Sequence, residues 1–172
     1  MNHKILETLE YGRVKGQLAQ FIVSATGRAE LAKLEPQTDY TTIHHWVEET
    51  EDGADLLRLV GGIPLPELAD VSPQLKRLKV QASLNGTELA QITQVLRTSM
   101  AVQNFFEGLV EKKIRLRTID NLATSLVTIP EVTRRLARSL DPDGRVTDEA
   151  STKLHGVRQL ITQTEVDIRH EL

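Results

Sequence analysis

Residue types able to do chemistry are sparse in this chain. His44 and Glu48 have the i, i+4 spacing that sets two metal ligands on one helix face. A metal site needs at least a third ligand, and the sequence places none. His44 and His45 are adjacent, a quarter-turn or more apart on a helix, so they cannot share an ion. His3, His155 and His170 are isolated. The acids Glu48, Glu49, Glu51, Asp52 and Asp55 resemble material for an acid/base pair, but such a pair needs burial or close like charge to separate its pKa values. A run this dense reads as a solvated helix face. There is no G-x-x-x-x-G-K-[ST] phosphate loop and no G-x-S-x-G elbow, so the chain is not expected to bind or hydrolyse a nucleotide by itself. No catalytic, cofactor-binding or metal-ligating residue is assigned.

Three basic clusters remain: Lys76, Arg77 and Lys79; Lys112, Lys113, Arg115 and Arg117; and Arg134, Arg135 and Arg138. Each is a candidate for salt-sensitive contact with nucleic-acid phosphates. The competing reading is solubility and complementation of helix C-termini, which suits Lys112 and Lys113.

The elements that must position these groups read as helices. Ile5, Leu6, Leu9 and Tyr11 suggest a short helix that Gly12 interrupts, followed by one carrying Val14, Leu18, Phe21 and Ile22. Ser24 and Thr26 are cap candidates for the next, which Pro36 stops. Thr38-Asp39 caps a helix over about 40–60, and Ser72-Pro73 starts a short one, with Ser72 as its cap and Pro73 at the first helical position. Asn85 to Glu88 opens the longest internal helix, running to about Glu111 and apolar around much of its girth. A helix near 118–126 follows, and Pro130 opens another. Val80–Leu84 and Arg145–Thr147 are the only extended candidates.

The last stretch organises the rest. Asp141-Pro142-Asp143-Gly144 is a strong turn signal, with Gly144 suited to positive φ. Thr147 and Asp148 offer a helix start. Ala150, Leu154, Val157, Ile161, Thr164 and Ile168 then form a seam with alternating spacings of three and four. No stop signal precedes Leu172, so the helix reads as cut in mid-run and the chain as the front piece of a longer protein. The expected organisation is all-α: a helical bundle core over 1–140, then a turn and a long projecting helix over 141–172. Gly144, Asp148, Leu154, Val157 and Ile161 are the residues expected to form the turn and dock that helix.

Composition agrees. At 172 residues the chain is long enough for one filled core, and aromatics at 3% leave Leu, Ile, Val and Ala to build it. Net charge −3 excludes a uniformly basic nucleic-acid binder but not a local patch. The absence of cysteine and of a long apolar N-terminal run fits a cytoplasmic protein without a membrane anchor.

These blocks carry a resemblance. Leu9-Glu10-Tyr11, Ser24 with Gly27-Arg28, Glu49-Thr50 before Leu56-Leu57-Arg58-Leu59, and Ile63-Pro64-Leu65 before Leu75-Lys76-Arg77 are individually weak signals. The most specific block is Asp143-Gly144-x-Val146-x-Asp148-x-Ala150-Ser151-x-x-Leu154-x-x-Val157-Arg158. Together they resemble the N-terminal region of the second bacterial branch of the MutS family, along essentially the whole chain. The resemblance implies a longer, homodimeric parent with core, lever, clamp and ATPase parts, using ATP and Mg, and with a C-terminal nuclease-like domain. It also implies engagement of mismatched or branched DNA, with suppression of recombination, or of rRNA and collided ribosomes. This segment would be the core plus the first stretch of the lever helix, transmitting motion without a catalytic site of its own. A helical protein–protein scaffold is the alternative. Phe105-Phe106-Glu107 spells the F-x-E of mismatch-reading MutS proteins, but inside so apolar a helix these are expected to be core residues.

Overall fold

The computed structural model describes residues 3–171, with side chains for 4–170. Among them the fold is all-α: α1 (His3–Thr8), α2 (Tyr11–Ala19), α3 (Ala25–Lys33), α4 (Tyr40–Val60), α5 (Ser72–Lys79), α6 (Gly86–Glu111), α7 (Ile119–Thr124), α8 (Pro130–Ser139) and α9 (Thr152–Glu171). Only an isolated antiparallel bridge, Leu140 to Val146, stands in for a strand. No described helix is long and apolar enough to cross a membrane.

Local chemistry explains most of the starts. The Ser24 hydroxyl accepts from Gly27 N–H at α3, and the Asp39 carboxylate accepts from Thr42 N–H at α4. That backbone bond, helped by the Thr42 hydroxyl, lowers the Asp39 pKa. At α6, Glu88 N–H donates to Asn85 Oδ1 and Asn85 N–H donates to Glu88 Oε2, each at 2.9 Å: a reciprocal capping box.

Several expectations need correction. The first helical break falls at Leu9-Glu10, where Glu10 takes φ 51°, and Gly12 lies inside α2. Ser72 is the first helical residue of α5, with Val71 as its cap. Asp148 does not start the last long helix. It opens a 3-10 turn, Asp148–Ala150, and Ser151 then adopts extended backbone. The Ser151 hydroxyl accepts from Leu154 N–H at 3.1 Å, so Ser151 is the cap of α9.

The chain divides into two compact units, one of residues up to Asp70 with Thr98–Thr128, the other of Val71–Arg97 with residues from Ile129 onward. The helix α6 contributes to both. In the first unit the buried apolar core is Leu56, Val102, Phe106, Leu109, Leu116 and Ala123, with Val60, Ile63, Phe105 and Ile114 against it. Phe105 and Phe106 pack edge to face, ring centroids 5.5 Å apart, so both belong to the core as expected. In the second unit the buried side chains are the threonines Thr93 and Thr133, whose hydroxyls donate to Leu89 and Ile129 carbonyls. That unit relies on half-buried leucines and on backbone contact.

Candidate functional site

The second unit contains the turn and the root of α9, and its tightest feature is a contact between two glycines. Gly86 is the first residue of α6 and Gly144 closes the Asp141–Gly144 turn. A Cβ on Gly86 would stand 1.9 Å from the Gly144 carbonyl oxygen. One on Gly144 would stand 2.3 Å from both the Gly86 carbonyl carbon and the Thr87 nitrogen. Gly144 also has φ +83°, so it is fixed by conformation and by space together. The Thr87 hydroxyl reaches the Asp143 carbonyl at 3.4 Å. The backbone of the turn thus lies on the N-terminus of α6.

The turn is stitched at its other end as well. Arg145 N–H donates to Asp141 Oδ1 at 2.8 Å, and Thr147 N–H donates to the Ser139 carbonyl at 3.0 Å, with its hydroxyl on the Arg138 carbonyl. Arg158, on α9, donates to the Asp148 carboxylate and to the Val146 carbonyl. The Asp148 side chain therefore ties the approach to α9 to its second turn instead of capping the helix. His155 Nδ1 lies 4.0 Å from the same carboxylate.

Of the residues expected to dock α9, Leu154 is half-buried, while Val157 and Ile161 are 46% and 53% exposed. Leu160 and Ile168 are also exposed. The seam beyond Leu154 is therefore uncovered in this chain.

The first unit has a second built feature, absent from the sequence reading. Asp52, which the sequence pattern assigns to a solvated acidic face, is only 4% exposed. Its Oδ1 accepts from Arg117 N–H at 3.1 Å; its Oδ2 accepts from the N–H groups of Thr118 (2.6 Å) and Ile119 (3.2 Å) and from the Thr118 hydroxyl (2.8 Å). Burial acts to raise its pKa, but the bonds from Thr118, Arg117 and Ile119 outweigh it and bring the value down to about 2. Asp52 is the anionic cap of α7, supplied from α4. Glu51 next to it pairs with Arg117 at 3.1 Å. Of the other acids on that face, Glu51 and Asp55 are exposed, while Glu48 and Glu49 are half-buried and lie 3.6 and 3.3 Å from His44 and His45. Among the described residues no group of three or more metal-ligating side chains gathers.

The basic clusters separate. In the first, Lys76, Arg77 and Lys79 lie on α5, but Arg77 is engaged by Glu88 and the Ser83 carbonyl. In the second, Lys112, Lys113 and Arg115 are exposed after α6, Lys113 at φ 61°, while Arg117 is held by Glu51. In the third, Arg134, Arg135 and Arg138 are all exposed on α8. The first and third clusters belong to the second unit and the second cluster to the first.

No family model matches the chain. Curated relatives do. The chain is 51% identical over all of its 172 residues to a protein of Levilactobacillus brevis named endonuclease MutS2. It is 47% identical to the protein of that name from Lactiplantibacillus plantarum and 44% identical to that of Latilactobacillus sakei, again over its whole length. It spans 22% of the length of each of these relatives. By sequence the chain is therefore a relative of the proteins named endonuclease MutS2, similar along its whole length and spanning about a fifth of theirs.

Proposed function

We propose that this chain is the N-terminal helical core and lever root of a MutS-like ATPase and endonuclease that closes on branched DNA or on ribosomes as a homodimer. The whole-length similarity to proteins named endonuclease MutS2 is the observation that carries this reading. The chain has no Gly-rich phosphate loop, so ATP and Mg would be held by other parts of the parent. The role of this segment is mechanical. A helix is stiff, so a small rotation at its root becomes a large displacement further along. The Gly86–Gly144 contact and the Arg158–Asp148 tie hold that root, with Leu154 as its apolar anchor. The exposed seam at Val157, Ile161 and Ile168 supplies a surface for neighbouring parts of the parent.

The test is Gly144→Ala in the full-length parent. Nucleotide should shift the wild-type parent's affinity for branched DNA or ribosomes, and the variant should lose that shift while still hydrolysing ATP. A variant that keeps the full nucleotide response would sink the lever role.

A further inference from the structure

We propose that the arginine face of α8 is a docking site for nucleic-acid phosphates, used by the chain itself. The inference deepens the reading above by assigning the contact to one of three clusters, and it is tested on this chain alone, so the two can fail separately.

Charge is the first ground. Eleven of the 21 basic residues and nine of the 24 acidic residues fall in the second unit, which is therefore net +2 where the first is net −5. A basic cluster in the second unit faces less long-range opposition from its own unit.

Partnering is the second ground. Arg13, Arg58, Arg77, Arg117 and Arg158 each hold a carboxylate. Arg134, Arg135 and Arg138 hold none among the described residues, although Glu131 lies one turn away; Arg28, Arg97, Arg115, Arg145 and Arg169 hold none either, but only on α8 do three such arginines fall within five positions. The nearest acid after α8, Asp141, already accepts Arg145 N–H. Three exposed guanidinium groups within five positions repel one another only modestly in water, and together they concentrate positive potential on one helix face. Guanidinium also matches phosphate through two parallel donors, which an ammonium cannot do.

Anchoring is the third ground. Thr133 is 3% exposed and Leu136 and Ala137 are half-buried, so the opposite face of α8 is fixed. Its C-terminus is held by Thr147 on the Ser139 carbonyl. Arg134 Nε donates to the Pro130 carbonyl at 3.3 Å, which limits its swing. Arg134 and Arg138 are one turn apart, about 6 Å along the axis, close to two phosphate steps of one strand. The cluster after α6 lacks this: it sits on a loop, and its Arg117 is taken by Glu51.

The probes are a labelled DNA duplex and an RNA duplex of the same sequence, read by fluorescence anisotropy at rising salt. The chain should bind weakly, in the range of non-specific contacts, roughly 10⁻⁴–10⁻⁶ M. Three neutralised phosphates give a log–log salt slope near −2.7, so affinity should fall about 40-fold between 50 and 200 mM salt. Equal binding to both duplexes marks a backbone contact; preference for one names the source. Arg134→Gln, Arg135→Gln and Arg138→Gln together should abolish binding with unchanged circular dichroism. Lys112→Gln, Lys113→Gln and Arg115→Gln together should leave it intact. Binding that survives the α8 variant, disappears with the loop variant, or is absent at low salt would overturn the proposal.

Discussion

At the scale of single residues, two groups hold backbone that their sequence neighbourhoods do not explain. Asp52 is one. Its folded pKa lies below the ordinary carboxylate value, so its contribution is present above about 3.8 and is lost as pH falls toward about 2. Asp52→Asn should lower stability at neutral pH by about 1–2 kcal/mol, and the gap to wild type should shrink through that acid window. Thermal melts at pH 7 and pH 3 check this; a gap that persists at low pH would mean the carboxylate's charge is not what matters. The glycine pair is the other. Gly61 and Gly144 share φ +83°, but a Cβ at Gly61 meets nothing within 4 Å. Gly61→Ala should therefore cost only the backbone strain, about 1 kcal/mol, and Gly144→Ala clearly more. Gly86→Ala is sharper still. Helix propensity alone would make it mildly stabilising, by less than the ~1 kcal/mol of a helix interior, whereas the Gly144 carbonyl in its path makes it destabilising. Melting curves decide the sign.

At the scale of elements, the helices were legible wherever a local rule governs. Ser24, Asp39, Asn85 and Pro130 mark starts because capping acts within a few residues. The start of α9 was misjudged because Thr147-Asp148-Glu149 and Ser151 both offer plausible caps. The hydrogen bond from Arg158 to Asp148 is what draws that carboxylate away. Asp52 and Gly86 were missed for a different reason. Their partners Thr118 and Gly144 lie far along the chain, and periodicity carries no record of such contacts. A weak signal existed at Gly86, a poor helix former placed at the first helical position. Ser151→Ala should cost about 1 kcal/mol and fray the first turn of α9, seen as faster amide exchange at Leu154. Leu154→Asp should lower the melting temperature, since it puts a charge at a half-buried site, while Ile161→Asp, at a position 53% exposed, should scarcely move it. If both are silent, α9 is not docked through Leu154.

At the scale of the whole molecule, an all-α chain built with few aromatics was readable from composition and spacing alone, and the resemblance to the MutS family from its most specific block, Asp143 to Arg158. The use of that fold was not readable from its residues, because the sequence carries no phosphate-binding or nucleophile motif to mark one. Both units expose apolar side chains: Phe21, Trp46 and Leu57 in the first, and Val157, Leu160, Ile161 and Ile168 in the second. Such exposed apolar surface fits the proposed role of a segment that works against other parts of a larger protein. The most direct measurement compares this chain with the full-length parent for binding to branched DNA and to ribosomes, with and without nucleotide, across a salt series. The account predicts weak, steeply salt-dependent and nucleotide-insensitive binding by the chain, and tighter, nucleotide-responsive binding by the parent. Binding by the chain alone as tight as that of the parent would contradict it.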